Sequence, residues 1–190
     1  MFLDIGAGIL LAILTTELFN LPLTTTFLVG GIAFALLMDI DYIFHLGKGG
    51  SSKNAHKHRD LLHYPLLYIP LGILLISFFN FTWAILFGLC SFVHFIHDSI
   101  GIGWGVQWLY PFSKKHYVFF YHYRPSHVGG ASFELIHSWK HEDIDDLAEK
   151  YGDPDWIKKI YLSLHPYSIV EFLTFIIALV VLYLYILVVF

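Results

Sequence analysis

The sequence predicts an all-α, polytopic membrane protein: a helical bundle of about five transmembrane helices with a metal site on its cytoplasmic side. Three observations lead there. Of 190 residues, 57% are hydrophobic and only 14% are charged, a balance that suits a membrane protein better than a soluble domain. The apolar residues gather in runs that approach the length needed to cross a bilayer, about 20 residues each. All 12 histidines fall between His45 and His165, clustered mostly where those runs end. The chain is expected to form one membrane-embedded domain, 1–190, with a cytoplasmic or interfacial insertion at about 101–165.

The first apolar run predicts a helix from about Phe2 to Phe19, ended by the turn signal Asn20-Leu21-Pro22. Met1-Phe2-Leu3-Asp4 has no basic leader region and no small-residue cleavage site, so this run reads as a retained helix. A second helix is expected after Thr24-Thr25-Thr26, to about Met38, with Gly30-Gly31 marking close helix packing. It should finish in Asp39-Ile40-Asp41. A polar, basic loop, 47–60, follows. The third helix is expected over about Leu61 to Phe79, with Pro65 and Pro70 kinking it or delaying its regular start. Asn80 turns the chain into a fourth helix, about Phe81 to Ile100.

Beyond this point the character changes. Gly101-Ile102-Gly103-Trp104-Gly105 rules out a regular helix. Tyr117 to Tyr123 is aromatic and suits a short strand or an interfacial segment. The spacing from Ala131 to Lys150 predicts an amphipathic helix stopped by Gly152. Asp153-Pro154 starts a short helix through Trp156 to Tyr161, with Asp as cap and Pro at the first helical position. A last spanning helix is expected from about Tyr167 to Phe190. The single Cys90 lies within an apolar run and excludes a disulfide framework. Every Lys and Arg falls in or at the edge of 47–60 and 101–165. The positive-inside rule then puts both loops, and the histidines, in the cytoplasm, with the N-terminus in and the C-terminus out.

Four polar clusters carry chemistry. In Phe92-Val93-His94-Phe95-Ile96-His97-Asp98, helical spacing puts His94 and Asp98 on one face with His97 beside them. Ionisable groups at the end of a bilayer helix are costly unless something binds them. Asp39 and Asp41 form a carboxylate pair at a membrane boundary. An acidic residue at a helix C-terminus opposes the macrodipole unless a cation is near. His56, His58 and His63 precede the third helix, with Arg59 placed to hold an anionic group. Basic headgroup contact would be better served by Lys. Finally, His122, Arg124 and His127 lead to Glu134, His137, His141 and Asp145, spaced as one helical stripe. For these a solvated face and a site role are equally good readings. His45, His116 and His165 read as structural or interfacial. No nucleophile elbow, phosphate-binding glycine loop or paired-cysteine zinc site is present. The few basic residues give no nucleic-acid surface, and none is expected as a partner.

Asp39-Ile40-Asp41, then His58-Arg59 with His63, then His94-x-x-x-Asp98, then Tyr110-Pro111-Phe112-Ser113 resemble, in order and spacing, the YdjM-like inner-membrane, metal-dependent hydrolase family. That family's pattern runs roughly PDxDH, HRGxTHS, HxxxD and a Trp/Tyr-Pro-Phe/Cys element. The resemblance covers about Leu36 to Ser113. Met38, Tyr42, Asp60, Leu62 and Tyr64 depart from it, as do the Gly101–Gly105 residues where Thr-Pro would stand. A more distant similarity links the His94-x-x-x-Asp98 box to zinc-dependent phospholipase C and the single-strand-specific zinc nucleases; His141-x-x-x-Asp145 matches a second such box.

The expected activity is a metal-dependent hydrolase, with metal ligands drawn from Asp41, His58, His63, His94 and Asp98, and His137 and His141 as further candidates. Arg59, Asp39 and His97 are the candidate catalytic groups, Asp39 orienting a ligand imidazole. Imidazole with carboxylate favours Zn²⁺, with Mn²⁺ or Fe²⁺ as alternatives. The site's place at the membrane face implies membrane lipid, and a lipidic or phosphoester substrate. One alternative is a membrane di-iron oxidase of the fatty-acid hydroxylase or desaturase kind, for which His137-x-x-x-His141 supplies one box. The other is a non-enzymatic metal-binding or transport protein. Transport fits less well, because ionisable groups gather at one face and little beyond Glu17 lies in the other half.

Overall fold

The structure is a computed structural model and describes residues 1–48, 59–101, 103–121 and 133–189. The described residues are mostly helical, with one two-stranded sheet that departs from the all-α expectation. The chain divides into two compact units. One combines Met1–Met38, Ile69–His94 and Lys158–Phe190; the other combines Asp39–Tyr68 and Phe95–Ile157. The second unit therefore takes in 39–68 as well as most of the expected insertion.

The first unit is a bundle of apolar helices. α1 (Phe2–Leu18) packs against α2 (Thr25–Leu36), which begins where Thr24 accepts a hydrogen bond from Phe27 N at 3.2 Å. The two backbones touch at glycines. A Cβ at Gly8 would lie 2.7 Å from Gly31 O, and one at Gly31 would lie 2.5 Å from Gly8 O. α5 (Pro65–Ser77) and α6 (Phe81–Ser99) are joined through Asn80, whose Oδ1 accepts from Thr82 N and Trp83 N. Pro65 opens α5, where its missing N–H costs nothing, and this delays the regular start as its position predicts. Ala12, Phe27, Ala35, Leu86 and Cys90 form one buried cluster, while Ile9, Ile13 and Ala178 of α9 (Pro166–Val189) form another.

Among the described residues, three helical runs are long and apolar enough to cross a membrane: Thr25–His45, Phe81–Ser99 and Pro166–Val189. This corrects the expected five. α1 has 17 residues and α5 has 13, so they rise about 25 Å and about 20 Å, short of a hydrocarbon layer about 30 Å thick. Apolar composition runs past the residues where these helices stop. Direction is nonetheless regular. Phe27 and Phe34 of α2 meet Trp83 and Phe87 of α6 in the same order, so those helices run parallel. Tyr68 meets Phe95 and Gly72 meets Phe87, in opposite order, so α5 is antiparallel to α6 and returns the chain between them.

In the second unit the helix does not end at Met38. A 3₁₀ turn, Leu37–Asp39, leads directly into α3 (Ile40–Gly47). Asp39 and Asp41 thus sit inside the helical run Thr25–His45, not at its C-terminus. No Gly or Pro stands between Gly31 and Gly47 to stop it. α4 (Arg59–Leu62) is a single turn. Gly101, Gly103 and Gly105 have φ of 80°, 107° and 70°, a region that L side chains avoid. At Gly105 a Cβ would collide with the Tyr117 backbone. This lets Val106 exchange backbone hydrogen bonds with Tyr117 at 3.2 and 2.9 Å.

β1 (His116–Tyr121) confirms the aromatic strand, and it pairs antiparallel with β2 (Glu134–Trp139), placing Val118 opposite His137. β2 overturns the single amphipathic helix expected over Ala131–Lys150. Only α7 (Ile144–Tyr151), after a 3₁₀ turn at His141–Asp143, is helical. Pairing with β1 satisfies the β2 backbone and overrides the helical spacing of its polar residues; Ile144 and Ala148 keep that spacing and are buried. α8 (Trp156–Tyr161) begins just after Pro154, with Asp153 Oδ1 accepting from Asp155 N at 2.9 Å.

Candidate metal centre

His63 sits between α4 and α5 and is buried. Its two ring nitrogens each face a carboxylate. Nδ1 lies 3.1 Å from Asp41 Oδ2, and Nε2 lies 3.2 Å from Asp98 Oδ2. Asp41 projects from α3 and Asp98 from the last turn of α6. The His63 ring also meets the edge of Phe95, 5.9 Å between centroids. Burial disfavours the imidazolium, but the hydrogen bonds to Asp41 and Asp98 outweigh it and raise the pKa of His63. Asp98 is shared with Arg59, whose Nη2 is 3.2 Å from the same Oδ2. Arg59 Nη1 donates to Gly105 O at 3.0 Å. The arginine is thus held by a carboxylate on one side and by the glycine loop on the other. Tyr110, in the Tyr-Pro-Phe-Ser element, packs on Tyr64 beside His63, with ring centroids 4.3 Å apart.

His94 lies one helical turn before Asp98 on α6 and is buried. Its Nδ1 is 3.2 Å from Asp4 Oδ1 of α1, also buried. Among the described residues, Asp39, His63 and His94 each offer one ligand atom, and these atoms lie within 4.8 Å of one another. Two imidazoles and a carboxylate form a donor set suited to a borderline divalent ion. The nitrogen–oxygen separations of 3.1–3.2 Å to Asp41, Asp98 and Asp4 are hydrogen-bond distances.

The remaining expected residues are placed as follows. His58, with His56, His122, Arg124 and His127, lies outside the described residues. His97 is half-buried on α6 and is not one of the three grouped donors. His137 stands on β2, where its Nδ1 is 2.6 Å from Glu134 Oε2 and its ring stacks on Tyr121. His141 follows β2 and meets Gln107 and His116 instead. Because these two histidines sit on a strand and a turn, the helical HxxxH arrangement that favoured an oxidase is not formed. Sequence reasoning missed Asp4. A carboxylate in the first turn of an apolar helix was the signal, since such a group needs a partner.

Helices long enough to span a bilayer, carrying buried imidazoles and carboxylates that converge, define a membrane protein with a group able to hold a metal ion. The chain belongs to the YdjM inner membrane protein family, whose model matches residues 4–190. No curated protein and no solved structure matches it.

Proposed function

We propose that this protein is a membrane-embedded, metal-dependent hydrolase acting on a lipidic or phosphoester substrate at the cytoplasmic face of the inner membrane. The observation that carries this reading is the grouping of Asp39, His63 and His94 beside Asp41, Asp98 and Arg59. Asp39, His63 and His94 would hold a divalent ion, zinc first and Mn²⁺ or Fe²⁺ as alternatives, which would supply Lewis acidity and activate water. The chain's own residues do the rest. Asp41 orients the His63 ring through Nδ1, as carboxylates beside ligand imidazoles do. Arg59, pre-positioned by Asp98 and Gly105, presents a planar cation to an anionic substrate group. His97, half-buried at the same helix end, would carry a proton. Membrane lipid surrounds the site and is the nearest source of phosphoester.

The test is elemental mass spectrometry on detergent-purified protein, wild type beside His63→Ala, followed by a screen of phospholipid and simple phosphoester substrates. Stoichiometric zinc or manganese, lost in the variant together with hydrolysis, supports the proposal. Absence of stoichiometric metal under gentle purification, or hydrolysis unchanged in the variant, sinks it. Two irons per chain would redirect the reading to oxidation.

A further inference from the structure

A second group of donors lies within the Asp39–Tyr68 and Phe95–Ile157 unit. Gln107 Nε2 is 2.8 Å from His116 Nε2 and 3.0 Å from His141 Nδ1, and the two imidazole nitrogens are 3.1 Å apart. The ring planes are parallel to within 3°, with centroids 5.4 Å apart. Gln107 and His116 are each 4% exposed, whereas His141 is open to solvent. Three separate elements build the group: the bridge at Val106, the first residue of β1, and the turn that follows β2.

This triangle cannot be satisfied by hydrogen bonds alone. Each imidazole nitrogen either carries a proton or presents a lone pair, and the amide end facing both is either a donor or an acceptor. A hydrogen bond needs one of each. Around three mutually contacting groups, at least one contact must then join two donors or two acceptors, whatever the tautomers. With the amide as placed, both imidazoles accept from Gln107 and their lone pairs face each other at 3.1 Å. Rotating the amide leaves a like pair elsewhere. A cation facing all three lone pairs removes the conflict. The rotated amide then aims Oε1 inward, and as placed that atom is buried with no hydrogen-bond partner among the described residues. The separations of 2.8–3.1 Å approach the roughly 3.3 Å between tetrahedral donors about 2.0 Å from one ion.

We propose that Gln107, His116 and His141 form a second metal site, for a borderline divalent ion of the zinc type, with its remaining coordination open to solvent beside His141. The donor set is neutral, so the ion keeps its charge for water or an anion there. Two imidazoles favour zinc over magnesium. The site is independent of the Asp39, His63 and His94 group, and it stands or falls whether or not the protein is a hydrolase.

The test is Zn²⁺ titration of the full chain in detergent, with bound zinc counted by elemental mass spectrometry. His141→Ala, at an exposed position, should bind one zinc fewer than the parent, whatever the parent count. Gln107→Glu, which replaces the amide oxygen by a carboxylate of the same size, should bind that zinc at least ten-fold more tightly. The same number of zinc ions bound with the same affinities in the parent and in His141→Ala would overturn the proposal. So would a folded Gln107→Glu whose zinc titration superimposes on the parent's.

Discussion

His63 Nε2 lies 3.2 Å from Asp98 Oδ2, across a stretch of chain that contains all of α5 and most of α6. The same carboxylate oxygen holds Arg59. Asp98 therefore ties the proposed ligand to the proposed anion-binding group. Asp98→Asn keeps the shape and removes the charge. It is expected to weaken metal retention by about ten-fold or more, because Asp98 faces Nε2, the nitrogen that Asp41 leaves for the ion, and its charge attracts the cation, and Asp98→Ala to weaken it further. Bound metal after dialysis against a graded chelator reads this directly, and equal retention in all three proteins would refute it.

The raised pKa of His63 sets a pH dependence. In metal-free protein, a folded pKa above the ordinary value of about 6.5 means that protonation stabilises the fold. That stabilisation is complete below about 6.5 and is lost as pH rises through the raised value. The same proton competes with a metal ion. Metal affinity should therefore climb with pH through the window above about 6.5 and level off beyond the folded pKa. Thermal melts of metal-free protein and zinc titrations, both at pH 6 to 9, should move in opposite directions. His63→Gln should flatten both curves.

Asp4 faces His94 at 3.2 Å with both groups buried. Asp4→Asn should lower metal affinity about 10–100-fold by loosening the His94 ring while leaving the helical circular dichroism intact. A variant with parental affinity would show that Asp4 merely fills space.

Close packing of α1 on α2 rests on Gly8 and Gly31, where a Cβ at Gly31 would come within 2.5 Å of Gly8 O. Because the obstacle is backbone, no side-chain rotation relieves it. Gly31→Val should cost about 1–3 kcal/mol, the usual range for overpacking, seen as a lower melting temperature in detergent. Gly47→Val, where a Cβ meets nothing within 4 Å, is the control.

The placement of Lys and Arg favours an orientation with the 101–165 segment in the cytoplasm. In a Cys90→Ala background, Lys114→Cys should be labelled by a membrane-impermeant maleimide only from the cytoplasmic side. Leu21→Cys, in the turn after α1 and 42% exposed, should be labelled only from the opposite side. The reverse pattern would invert the protein and place the site outside.

Local rules account for what was legible in the sequence. Thr24 caps α2 and the turn at Asn80 joins α5 to α6, because the side chain that sets each boundary lies within three residues of the backbone it serves. The Gly30-Gly31 pair predicted a close approach without naming its partner, since Gly8 is reached only through the bundle. The stripe from Glu134 to Asp145 misled for the opposite reason. Its helical spacing is real, but ladder bonds to β1, more than a dozen residues upstream, satisfy that backbone first.

By itself the sequence determined that this is a helical membrane protein with polar clusters at the ends of its apolar runs, because hydrophobic run length and charge placement are linear properties of a chain. Only the tertiary structure decided which polar groups meet. Asp4 reached His94, His63 came to lie between Asp41 and Asp98, and His141 joined Gln107 and His116. Each of those pairings is long-range. A buried ionisable group must find a partner wherever packing allows, and packing, not spacing along the chain, chose it.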